Sequence, residues 1–387
     1  MWPRGLPPAF LRTTFVNFFF FLNFASFFLL PLHVRALGGS EATVGAVVGT
    51  AGIASLLSLP FVGSAIDRIG ARRFLLLGTG TMGLAALGYL FVDELDVRIF
   101  VLRVVQGASF AAAFTAATTF AAELAPPGRR AAALGVFGLS TLLTHALAPV
   151  LGEELVRRGG FGRLFATAAG FAFLAFALAL ALPRREGSAT RRPESKARFA
   201  RLQWVLAFTM VFAGMGFGTV VTFVPTFVRS ENLGRVGAFF AAYTATAILV
   251  RVVGAGLSDA VGRRAVILPT LFALASSIFL LAFVRSRFAL TLTGGLFGIS
   301  QGLSYPTLHA FLVDLSDENQ LGKAQALFNG SFNFGVTAGS FLFGWVAELY
   351  GHRPMFLAAS LTPLLGWAIL YRFGRSSAPV RLPSTVG

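Results

Sequence analysis

The chain has 387 residues, 56% of them apolar and only 12% charged, with a formal net charge of +16 and no cysteine. Soluble domains run at roughly 45–50% apolar and about 25% charged, so a water-soluble globule does not fit. Disulfides, thiolate metal sites and cysteine nucleophiles are excluded outright. The basic excess would suit nucleic acid, but the arginines gather in short loops beside apolar runs, as the positive-inside rule describes. No nucleic-acid partner is expected.

A helix needs about 20 mainly apolar residues to cross the hydrocarbon core, because lipid satisfies no backbone polar group. Taken in chain order, the first half offers such runs near 12–33, 43–64, 73–92, 98–121, 131–152 and 162–182. Arg4 and Arg12 followed by an apolar run mimic a secretory leader. That run is long and lacks a small-residue cleavage pattern, so it reads as the first span, retained. The second half offers runs near 203–227, 236–257, 265–284, 288–313, 322–347 and 354–372. The expected organisation is a six-helix bundle over 1–183, a basic cytoplasmic linker over 184–201, a second bundle over 202–373 and a cytoplasmic tail over 374–387. With both termini inside, the inner segments carry about 20 Lys and Arg and the outer loops about 10, which sets the orientation.

Between the second and third runs lies the tag Gly63-Ser64-Ala65-Ile66-Asp67-Arg68-Ile69-Gly70-Ala71-Arg72-Arg73. A second copy, Gly256-Leu257-Ser258-Asp259-Ala260-Val261-Gly262-Arg263-Arg264, lies between the eighth and ninth, with its aspartate 192 positions on. Gly152 and Gly159 recur at the same offset as Gly344 and Gly351, while Glu123 and Asp314 end the fourth and tenth runs. Several features sharing one shift imply a doubled unit. The expected fold is all-α: twelve transmembrane helices in two pseudo-symmetric six-helix bundles, the organisation of a secondary transporter. In the tag, Gly63 is expected to admit a close neighbouring helix and Gly70 to make the turn.

Gly63, Asp67, Arg68, Gly70, Arg72 and Arg73 resemble the helix-two to helix-three loop signature of the major facilitator superfamily, and the resemblance extends over essentially the whole chain. The second copy is looser, since Ala260 stands where the first has Arg68. The resemblance implies that Gly63, Asp67, Arg68, Gly70, Arg72, Arg73, Glu123, Asp259, Gly262, Arg263, Arg264 and Asp314 form two gate clusters that latch one conformation. Arg103-Val104-Val105-Gln106-Gly107 looks like a second family motif, tied to proton transfer or substrate handling. The plainer alternative is a buried arginine holding backbone carbonyls. Ala148-Pro149-Val150-Leu151-Gly152, with Gly135 and Gly138 before it, matches the antiporter glycine-proline motif only in part, because Ala148 and Glu153 replace glycines.

The remaining polar groups at membrane depth are the candidate binding and coupling residues: Asn17, Asn23, Arg103, Gln106, His145, Tyr243, Arg251, Gln301, Tyr305, His309, Asn329 and Asn333. Helix one lacks the mid-span acid of the family's proton-coupled drug exporters, leaving Glu123, His145, Glu153, Glu154, His309 and Asp314 as candidates for the coupling site, with Glu123 and Asp314 better assigned to the gate clusters. The expected function is proton-coupled export, by antiport and alternating access, of a small amphipathic organic solute, from a monomer in the bacterial inner (cytoplasmic) membrane. Its partners are the solute, protons and the lipid bilayer. Arg103 and Arg251 would accommodate an anionic group, and the alternative is a proton-driven uptake symporter of a small organic or anionic solute. A membrane-embedded enzyme is the remote alternative. No Ser/His/acid cluster, metal-ligand spacing or Walker loop supports it, so no catalytic residue, metal or cofactor is expected.

Overall fold

A computed structural model describes residues 6–126, 129–183, 199–316 and 321–374. Most of the expected linker and nearly all of the tail lie outside the described residues. The first span is α1 (Pro8–Ser26), a short 3-10 turn and α2 (Leu30–Ala36). Spans two to four are α3 (Glu41–Ile69), α4 (Ala71–Gly88) and α5 (Val97–Leu124). Spans five and six are the two arms of α6 (Arg130–Leu180), which breaks at Gly159 and Gly160. The second half contains α7 (Arg201–Ser230), α8 (Val236–Val253), the short α9 (Leu257–Val261), α10 (Arg263–Leu281), α11 (Arg287–Asp314), α12 (Leu321–Tyr350) and α13 (His352–Phe373). Each expected run has become a helix.

Length and hydropathy alone pick out nine of these helices as spans among the described residues, with α6 counted as one. The break in α6 supplies a tenth. Helices α11 and α12, rich in glycine and polar side chains, complete the twelve. Of the two, α12 lies at the seam against α3 and lines a cavity there, while α11 packs inside its own half against α8 and α10. Close helix approach there depends on small residues.

The two tags take the same shape. Gly70 has φ +86° and ψ 144°, and Gly262 has φ +95° and ψ 143°, a conformation that residues with a Cβ rarely adopt. Each glycine ends one helix and starts the next without a loop. The arginine two positions on from each glycine does the same job in both halves. Arg72 donates to the Leu180 carbonyl at 2.6 Å, and Arg264 donates to Leu370 and Tyr371 at 3.3 and 3.1 Å. Each guanidinium thus donates to end carbonyls of its half's last helix, where intrahelical donors run out.

The halves meet along α3 against α12 and the first arm of α6 against α8. From the end far from the termini down to mid-depth the packing is tight. A Cβ on Gly45 would lie 2.3 Å from the Ser340 carbonyl oxygen, and one on Gly52 would lie 2.0 Å from Thr337 Oγ1. Toward the terminal end the same seam helices part: a Cβ on Gly63, Gly135, Gly138 or Gly330 would meet nothing within 4 Å. The molecule is closed at the far end and parted at the terminal end. Gly63 therefore does not serve the close approach expected of it in this conformation, since no helix lies against it.

Candidate functional site

A cavity of about 160 Å³ lies at mid-depth on the seam. Its N-terminal wall is Phe24, Phe28, Arg103, Gln106, Phe110 and His145; its C-terminal wall includes Phe217, Thr222, Asn333, Thr337 and Ser340. The aromatic run of α1 divides as a helix must, since consecutive residues point about 100° apart. Phe20 and Phe21 are buried, while Phe24, Phe27 and Phe28 turn toward the cavity. Phe24 packs on Phe110 with centroids 4.6 Å apart, and Phe28 stacks on His145 at 5.3 Å and 17°.

Of the expected binding residues, Arg103, Gln106, His145 and Asn333 line this cavity. The Arg103 guanidinium is spent on protein. Its Nε donates to the Val47 carbonyl at 3.1 Å, Nη2 to Val48 at 3.2 Å and Nη1 to Gln106 Oε1 at 3.0 Å. Gln106 Oε1 also accepts from the Tyr89 hydroxyl at 3.0 Å. This is the carbonyl-holding alternative, and it fixes α5 against α3. The Gln106 amide nitrogen and His145 Nδ1 are buried without a hydrogen-bond partner among the described residues.

Arg251 is placed differently. Its Nε donates to the Gly302 carbonyl at 3.3 Å, and no other hydrogen bond or ion pair engages it among the described residues. It stands within electrostatic reach of His145, Tyr243 and Tyr305, just on the terminal side of the cavity. Tyr243 packs edge-on against Phe297 at 5.3 Å, and Tyr305 against Phe328 and Phe332 at 5.1 Å each. Gln301 is buried, with its amide nitrogen unpartnered.

Four expected residues fall elsewhere. Asn17 donates to Ser140 Oγ at 3.1 Å and Thr141 Oγ1 at 2.7 Å, tying α1 to α6. Asn23 donates to the Ala168 carbonyl at 2.7 Å. Both are fully buried and away from the cavity, because their face of α1 packs inside its own bundle. His309 contacts Gln325 Oε1 at 2.5 Å, joining α11 to α12. Asn329 lies one helical turn nearer the parted end than Asn333.

The gate residues lie at the terminal end. In the second copy, Arg263 bonds Asp259 at 2.5 Å, Asp314 at 2.8 Å and Ser258 Oγ at 2.6 Å. This cluster ties α9, α10 and α11 within one half. In the first copy, Arg68, Arg73 and Glu123 are exposed. Asp67 belongs to α3, but its side chain lies outside the described residues.

The far-end closure rests on Glu153, which the sequence offered only as a proton carrier, and on Glu41, Glu348 and His352, which were not among the expected site residues. Glu41, the first residue of α3, is 6% exposed. Its carboxylate accepts from Thr226 Oγ1 at 3.1 Å and lies 3.3 Å from His352 Nε2 and 3.5 Å from Arg35 Nε. Glu348 accepts the Glu41 backbone N–H at 2.8 Å. Glu153 accepts the N–H groups of Val236 and Gly237, both at 2.7 Å. The available signal was an acid beside each far-end helix terminus. Which terminus each one reaches depends on tertiary packing.

Comparison with known proteins follows the same architecture. The model of the Major Facilitator Superfamily matches residues 13–241 and 206–387. A staphylopine export protein of Staphylococcus aureus is 23% identical over 372 residues, covering 91% of this chain and 92% of its own. The multi-drug resistance efflux pump PmrA of Streptococcus pneumoniae is 24% identical over 349 residues, covering 86% and 87%. Among solved structures, the nucleoside transporter NupG superposes with a TM-score of 0.81 at 15% identity, covering 94% of this chain and all of that one.

Proposed function

The chain belongs to the Major Facilitator Superfamily, and from that premise we propose that it is a proton-coupled exporter of a small amphipathic organic solute. It is a multi-pass membrane transport protein; the direction, the coupling ion and the solute class are the proposal. The observation that carries it is the mid-depth cavity on the seam, walled by aromatics and closed toward one end only. A site reached from one side at a time is what alternating access requires. The aromatic wall accepts apolar bodies, while the charge of Arg251 favours an electronegative group on the solute. Export is supported by the printed names of the relatives that match over nearly their whole length.

In this reading both termini are cytoplasmic in the inner membrane, the parted end faces the cytoplasm, and the working unit is a monomer. The gate clusters of the two tags then stand disengaged, each holding its own half together. Everted membrane vesicles test the direction. A thermal-shift screen over amphipathic acids and neutral compounds first supplies a binding solute. An exporter concentrates that solute inside everted vesicles energised to an acid lumen, and an uncoupler abolishes the accumulation. Accumulation in right-side-out vesicles instead would establish uptake symport.

A further inference from the structure

At the far end, each half caps a helix of the other. Glu153, near the end of span five, accepts the first two N–H groups of α8 through both carboxylate oxygens. Glu348, near the end of α12, accepts the first N–H of α3. Spans five and eleven are counterparts in the doubled unit, as are α3 and α8, so the two caps are related by the pseudo-twofold. The first N–H groups of a helix have no partner inside it and carry a partial positive charge, so a carboxylate there is favourable. Both contacts cross the seam and break if the far end opens.

We propose that Glu153 and Glu348 form a reciprocal pair of cross-half helix caps that hold the far end shut while ionised, and that proton uptake on them releases it. Both line a vestibule of about 1110 Å³ at the far face, so protons from that side reach them directly. Protonation removes the charge that the helix end favours and turns an acceptor oxygen into a donor facing N–H groups. The two hydrogen bonds donated to Glu153 and the one donated to Glu348 are weakened together.

Around Glu153 stand Glu154 and Arg157 on its own helix, Arg229 at the end of α7 and Arg235 before α8. Around Glu348 stand Glu41 on α3, Arg35 on α2 and His352 on α13. The Glu41–His352 contact is a second cross-half tie, so the caps share the closure with it. The partial glycine-proline motif gains an explanation here, since a glycine at 153 could not cap α8.

The proposal deepens the transport reading, but its test needs no solute. The chain has no cysteine, so spin labels attach at two introduced sites without background. Glu94 and Arg285 are exposed at the far ends of the two halves, and Glu94→Cys with Arg285→Cys reports their separation in nanodiscs. In the parent chain, a fall from neutral pH to about pH 3.5, below the ordinary glutamate range, should raise the long-distance population about threefold or more. Glu153→Gln with Glu348→Gln should show that raised population already at neutral pH and respond little to acid, while Glu154→Gln should behave as the parent. A double variant with the parent's distribution and the parent's pH response would overturn the proposal. If the double variant is not monodisperse, the parent's pH scan and Glu348→Gln alone decide it, and a flat response in both sinks it. Failed export with a working pH response would count against the function, not against the caps.

Discussion

Two arginines of equal standing in the sequence have different work in the fold. Arg103 gives three donors to Val47, Val48 and Gln106 inside the membrane, where an unsatisfied polar group is costly. Arg103→Ala should destabilise the purified protein by about 2–3 kcal/mol, the size of one or two charged hydrogen bonds lost from a buried site. Lysine should restore less than half of that, since it lacks the planar fork. Arg251→Ala should leave the melting temperature nearly unchanged but cut flux or solute affinity about tenfold or more, a loss of roughly 1.4 kcal/mol. Melting curves beside solute binding separate the two, and the opposite pattern would reverse the assignment.

A third residue-scale prediction concerns pH. Arg353 bonds Glu231 at 2.6 Å and holds its carboxyl below the usual carboxylate range, the hydrogen bond being the main cause. A depressed folded value means that the pair contributes stability above the ordinary glutamate range and loses it as pH falls through the depressed value. Glu231→Gln should therefore lower the melting temperature at neutral pH and remove part of its fall on acidification. The pair is about one-third exposed, so the effect is that of a screened surface bridge.

At the scale of elements, the helix-two to helix-three turn and its second copy depend on backbone geometry that glycine alone takes without strain. Gly70→Ala and Gly262→Ala should each cost about 1–3 kcal/mol. Equal costs, read from the two melting temperatures, would support equivalent turns; a silent substitution at either would break the equivalence. The turn was legible in the tag because a glycine between two long helices has few other uses. The fold-back of α6 was less so. Gly159 was singled out by its repeat at Gly351, but the left-handed residue is Gly160, with φ +71°. A one-residue offset between copies is invisible without coordinates.

For the whole molecule, closure of the far end rests on small residues facing backbone. Gly45→Leu puts a side chain where the Ser340 carbonyl now lies, and cores resist such overpacking at about 1–3 kcal/mol. The variant should stay folded, because this contact joins halves and not helices within a half. Its far end should remain open, seen as a longer Glu94 to Arg285 separation, and transport should fall about tenfold or more. A variant that closes and transports normally would show that the seam is looser than drawn.

The amino-acid sequence by itself determined the spans, the doubling and the family. Those properties follow from local quantities: twenty apolar residues are long enough to cross a bilayer, and a repeated tag at a fixed offset survives without knowing any contact. It also named Arg103, Gln106, His145 and Asn333, since polar groups at membrane depth are few and costly. Only the tertiary structure decided which of them face the cavity. Asn17 and Asn23 are as polar and as deep, yet their face of α1 turns into its own bundle. The tertiary structure alone also gave Glu41, Glu153, Glu348 and His352 their places across the seam. Their partners stand 83 to 311 positions away along the chain, and no periodicity or motif encodes which ends of two bundles come to rest against each other.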